Sequence, residues 1–164
     1  MLRIYSMNKI FKMTGILMLM LTIFTTFSCS NDDDKTPSWH SLAGEYTGWT
    51  SGQFKYSSTP IVTDNEKLTI AVSDSKMSMQ LASSQWGTAT ISDVTIAEQS
   101  GEYKLSGTGS ATLGMAGSQA KQYDCNMEGT VSKDKKTVSV TLTYPAVMGG
   151  TTVVFAQGKA PSEE

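Results

Sequence analysis

Beyond residue 39, apolar side chains fall on every second position, and that period narrows the possible folds more than any other feature. "KLTIAV" puts Leu68, Ile70 and Val72 in one phase, and "KMSMQL" does the same with Met77, Met79 and Leu81. "QYDCNMEGTV" aligns Tyr123, Cys125, Met127 and Val131, and "KTVSVTLTY" aligns Val138, Val140, Leu142 and Tyr144. Successive side chains of a strand point to opposite faces, so this alternation describes strands with one face in a core and the other in water. The polar partners are mostly Ser and Thr, 42 residues of the chain, and such residues suit strands better than helices. Nothing past the N-terminal segment has the 3.6-residue period of an amphipathic helix.

The runs predict eight strands, at 43–56, 66–72, 76–82, 87–96, 101–112, 121–132, 137–144 and 150–157. Turn chemistry separates them at "TDNE" (63–66), "SDSK" (73–76), "EQSGE" (98–102) and "SKDKK" (132–136). The alternation slips at Ser92-Asp93, which predicts a bulge or sharp bend. "GTGSATLGMAGSQ" (107–119) reads as a loose hairpin. In "YPAVMGG", Pro145 cannot donate to a ladder and Gly149-Gly150 permits positive φ, so a turn there would return the last strand to the first. The class is all-β. Eight short antiparallel strands close naturally into an up-and-down barrel without free edges, with a two-sheet β-sandwich as the alternative.

Residues 1–28 stand apart. They carry Arg3, Lys9 and Lys12 without an acid, followed by the apolar run "GILMLMLTIFTTF". A basic region before an apolar stretch too short for a comfortable span reads as a signal peptide, starting at Met1 or Met7. The run ends at Ser28-Cys29, which resembles a bacterial lipoprotein signal in which the cysteine becomes a lipid-bearing N-terminus. Thr26 stands where leucine is more usual. Secretion with cleavage elsewhere and a free Cys29 is the alternative. Several acyl chains on Cys29 would anchor the protein firmly, as one chain does not. Residues 29–38 then form a polar, extended tether. The acidic run after Cys29 is similar to the surface-export signal of Bacteroidetes lipoproteins, or is a solvated spacer only. The expectation is a lipid-anchored outer-membrane protein, periplasmic or surface-facing, with the barrel at 39–160 and a disordered tail at 161–164.

Composition and motifs exclude several functions. Residues 29–164 carry ten lysines against fifteen acids, a net charge of −5. An acidic body without basic clusters gives no electrostatic reason to bind nucleic acid. The single histidine, His40, has no Cys or carboxylate at metal-ligand spacing. Cys125 alternates with Tyr123 and Met127 and reads as a core thiol. "GWTSG" lacks the spacing of a nucleophile elbow, and "GSATLGMA" lacks the Lys-Ser/Thr end of a phosphate loop. No catalytic, metal or cofactor site is expected, and the chain reads as non-enzymatic.

A barrel of eight strands is just wide enough to be filled by side chains or to hold one small ligand. The supply of large apolar residues weighs toward filling. A ligand, if held, would meet Tyr46, Phe54, Tyr56, Met77, Met79, Tyr103, Tyr123, Met127 and Phe155. Arg3 is the only arginine, so the planar fork that suits a carboxylate is missing from the body. That favours a neutral apolar ligand, or a cation stacked on an aromatic ring. Trp39, Trp49 and Trp86 are the candidates for a surface that contacts a protein or glycan.

"LAGEYTGW" (42–49), "GTATISDVTI" (87–96), "YKLSGTGSATLG" (103–114), "MEGTVSKDKKTVSVTL" (127–142) and "VMGGTTVVFAQG" (147–158) form an ordered set of Gly-bounded strands. Together they resemble the calycin-like β-barrel lipoproteins of Bacteroidetes. The resemblance implies a lipocalin-like eight-stranded barrel on a lipoprotein leader, in a family without an established activity. True lipocalins carry Gly-x-Trp near the first strand; here Gly48 and Trp49 are adjacent, so ligand binding is not inherited from that motif. The expectation is a monomeric barrel binding a small apolar ligand, with a filled interaction module as the alternative.

Overall fold

The computed structural model describes residues 37–114 and 119–162. Cys29, the leader and most of the expected tether therefore lie outside the described residues. Thr36–Glu164 is a compact unit by itself. It begins with a 3-10 turn, Ser38–Leu42, followed by nine strands. These are β1 (Gly44–Phe54), β2 (Ile61–Ser73), β3 (Lys76–Ser83), β4 (Gly87–Ile91), β5 (Thr95–Gln99), β6 (Glu102–Leu113), β7 (Lys121–Ser132), β8 (Val138–Tyr144) and β9 (Thr151–Gln157).

Every pairing is antiparallel, and eight strands form a ring. β1 pairs with both β2 and β9, and the circuit runs through β8, β7, β6, β4 and β3 back to β2. The closing seam sets Gly48 opposite Gln157 and Phe54 opposite Thr151. Closure removes the edges that a sandwich would leave. β5 is the ninth strand and pairs only with β6.

Three expectations are corrected. The single strand at 87–96 is two, β4 and β5, because the chain bends fully at Ser92-Asp93 while both halves stay on β6. The amide of Val94 donates to the Met77 carbonyl at 2.9 Å, and Lys76 meets Asp93 at 3.2 Å, holding the bend against β3. "TDNE" is not a turn but part of β2, which starts at Ile61 rather than 66. Gly48 faces Glu66 and Trp49 faces Asp64, so Asn65 is an extra residue, at φ 60°. An Asn in the left-handed region is the bulge that turn-like composition conceals. Finally, β1 stops at Phe54, and Tyr56 leaves the inner face, 81% exposed.

The remaining turns fall where expected. Ser100 and Gly101 (φ 53° and 85°) make the tight β5–β6 turn, the geometry that matches strand twist. Met148, Gly149 and Gly150 all have positive φ between β8 and β9.

The inward phase fills most of the barrel. Leu68, Met77, Val131, Val153 and Phe155 are wholly buried. At mid-height, Leu68, Met79, Leu81, Ala89, Ile91, Val140 and Leu142 meet with no room for a water molecule between them. One end is closed by the 3-10 turn, whose Leu42 is wholly buried and whose carbonyl accepts from the Tyr46 hydroxyl at 2.7 Å. The β2–β3, β5–β6 and β7–β8 turns lie at this same end, by strand alternation. The opposite end carries the β1–β2, β3–β4, β6–β7 and β8–β9 connections, and among the described residues nothing plugs it.

Candidate functional site

The open end holds a cavity of about 1070 Å³. Its apolar wall comes from Phe54, Ile61, Trp86, Leu113, Tyr123, Ala146, Val147 and Met148, and its polar groups are Ser84, Gln85, Gln119, Lys121 and Thr151. Each belongs to a strand end or connection at the mouth, so the ring itself gathers residues distant in sequence.

Trp86 anchors this arrangement. Its indole lies against Gly52 of β1 so closely that a Cβ on Gly52 would stand 1.9 Å from the ring. Gly52 is therefore glycine to admit an indole. Phe54 packs at 5.5 Å between ring centroids, tilted by 57°, a favourable aromatic geometry. The β3–β4 turn holds Trp86 from its other side. Ser83 Oγ accepts from the Trp86 amide at 3.1 Å. Gly87 follows at φ 68°, with no space for a side chain against the Thr112 carbonyl.

The same turn is tied to β2 by Glu66, only 2% exposed. Its carboxylate accepts from the Ser84 amide at 3.0 Å and the Ser84 hydroxyl at 2.9 Å. No ion pair among the described residues includes Glu66, and a buried carboxylate is tolerable when its oxygens are hydrogen-bonded in this way. The indole N–H of Trp86, in contrast, is buried without a partner among the described residues, which costs about 1–3 kcal/mol for a neutral donor.

The expected ligand-lining residues divide into three groups. Phe54 and Tyr123 line the cavity. Tyr46, Met77, Met79, Tyr103, Met127 and Phe155 are buried in the filled interior. Tyr56 lies outside, its ring over Gly149 and beside the Lys55 ammonium at 5.7 Å. Among the tryptophans, Trp86 is 6% exposed and belongs to the mouth rather than to an outer surface. Trp49 is half-buried on β1, and Trp39 packs partly against the core, edge-on to His40 at 4.3 Å.

Several mouth residues carry no clear signal in the sequence. Lys121 shares the phase of Tyr123 and Cys125, but a charged residue at a strand start reads as solvated; Val147, Met148 and Thr151 sit in or beside a turn, where periodicity says nothing.

The reactive groups are kept quiet by their surroundings. Burial, then the neighbouring Asp124 charge, pushes the Cys125 thiol up, opposed only in part by a backbone hydrogen bond from Gly109. A thiol held protonated is a poor nucleophile. Burial also raises the Tyr46 and Tyr144 hydroxyls, Tyr144 far above the ordinary range. No group of three metal-ligating side chains occurs among the described residues.

No curated protein matches the chain. A solved structure from Bacteroides fragilis, bearing the name "putative outer membrane protein", shares the fold with a TM-score of 0.61 and 24% identity. The similarity covers 74% of this chain but 46% of that one, so the chain spans just under half of its neighbour. The model of the family described as "Calycin-like beta-barrel domain" matches residues 42–159. That span runs from the Leu42 plug through β9, the whole closed ring, and the chain belongs to the calycin-like β-barrel domain family.

Proposed function

We propose that the protein is a non-enzymatic barrel of the cell envelope that takes a small apolar molecule into its open mouth. The observation that carries this reading is the cavity of about 1070 Å³ walled by Phe54, Trp86, Leu113, Tyr123 and Val147. An open apolar concavity with a few polar groups at its rim is the form that small-ligand sites take. The filled layers below stop the ligand at Trp86 and confine binding to the upper part of the barrel. Lipidation at Cys29 would hold the protein at the outer membrane as a monomer, and the name of the Bacteroides fragilis neighbour agrees with an envelope setting.

Native mass spectrometry of Thr36–Glu164, exposed to cell extract and purified without detergent, tests the reading. A reproducible added mass that disappears on denaturation is expected. A bare protein mass, even after incubation with small apolar compounds, would contradict it. The second reading, a module contacting a protein or glycan, rests on Tyr56, outside the cavity, and Met148, in its lining, which are 81% and 50% exposed.

A further inference from the structure

The described residues that line the cavity carry one formal charge, while the buried Glu66 lies behind the lining residue Ser84. Lys121 is the only formally charged residue among the described residues lining the cavity, and no Asp or Glu stands with it. It is the exposed first residue of β7, in the same phase as Tyr123 and Cys125. None of the ion pairs among the described residues includes it; they join Lys67–Glu45, Lys76–Asp93, Lys104–Glu102, Lys133–Glu98 and Lys136–Asp134. Glu66 does not line the cavity, and its oxygens already accept from Ser84.

Three aromatic side chains, Phe54, Trp86 and Tyr123, form the wall beside this cation. The geometry points to ring-bearing organic anions as the ligand class, with the rings against the aromatic wall and the negative group at the Lys121 ammonium. The inference rests on the mouth being the ligand site. It reverses the sign of charge that the missing arginine suggested, because one lysine at the exposed rim of the cavity supplies a cation there. A lysine fits a rim position well, because its stem packs on apolar surface while its ammonium stays wet.

Two dyes with the same rings make the test. 1-Anilinonaphthalene-8-sulfonate carries a negative charge, and N-phenyl-1-naphthylamine lacks the sulfonate. Each is titrated by fluorescence into Thr36–Glu164 and its Lys121→Gln variant, with unchanged melting of the variant as the control for folding. The sulfonate dye should bind more tightly and displace the neutral one. Lys121→Gln should weaken the sulfonate dye about three- to fivefold, the scale of a solvent-exposed ion pair, and leave the neutral dye unchanged. Raising the salt should weaken only the sulfonate dye. Equal or tighter binding of the neutral dye, or equal loss of both in the variant, would overturn the inference while leaving the mouth as the site. Failure of both dyes to bind would bring down the mouth reading itself.

Discussion

Gly52 and Trp86 form the contact on which the mouth depends. A Cβ at residue 52 has no position that spares the indole, and overpacking of this kind costs about 1–3 kcal/mol. Gly52→Ala should lose that much in chemical denaturation and shift the tryptophan emission. Combined with Trp86→Leu, it should cost less than the sum of the two changes, because the clash partner is gone. Additive losses would mean that the two residues do not touch. The buried acids set a second expectation. Cys125, Tyr46 and Tyr144 keep their protons in the barrel above their ordinary range. The unfolded chain therefore binds fewer protons at high pH, and stability falls as pH rises. The loss should begin near pH ~8.5 with the thiol, continue past ~10 with the phenols, and reach at most about 1.4 kcal/mol per pH unit for each group. Melting temperatures across that range check it, and Tyr144→Phe should blunt the decline.

Elements were legible in proportion to how far alternation alone determines them. β3, β7 and β8 could be read within about a residue, since each is an unbroken period-two run between polar turns. β2 could not, because Asp64 and Asn65 look like a turn while Asn65 is a bulge that preserves pairing on both sides. The break at Ser92-Asp93 was visible as a phase slip, but only β6, long enough to take both β4 and β5, shows that the halves remain in one sheet. The bulge has a clear signature. Asn65→Gly should be neutral or mildly stabilising, whereas Asn65→Val should cost about 1–2 kcal/mol, the penalty of the left-handed region for a bulky side chain. Urea midpoints of the two variants distinguish a bulge from an ordinary strand position. β9 carries the other prediction at this scale. It pairs with both β1 and β8, so deleting 150–160 should abolish the cooperative thermal transition; a sharp transition in the truncated chain would refute closure.

At the scale of the whole molecule, one ring builds a barrel with two unlike ends. Leu42 and the filled middle layers close one end, and the cavity opens the other. The inward phase could be read from the sequence, yet which of its residues face a ligand could not, because that depends on height along the barrel. Tyr46, Met77 and Phe155 share a phase with Phe54, but only Phe54 reaches the mouth. Whether small molecules bind at this one end can be seen in a ¹H–¹⁵N correlation spectrum of Thr36–Glu164 titrated with N-phenyl-1-naphthylamine. Shifts are expected in the Trp86 indole N–H and in backbone amides at 54–61, 84–87, 113–123 and 146–151, with the closed end at 38–42 and 132–137 unmoved. Shifts centred on the closed end, or none at saturating dye, would contradict binding at the mouth.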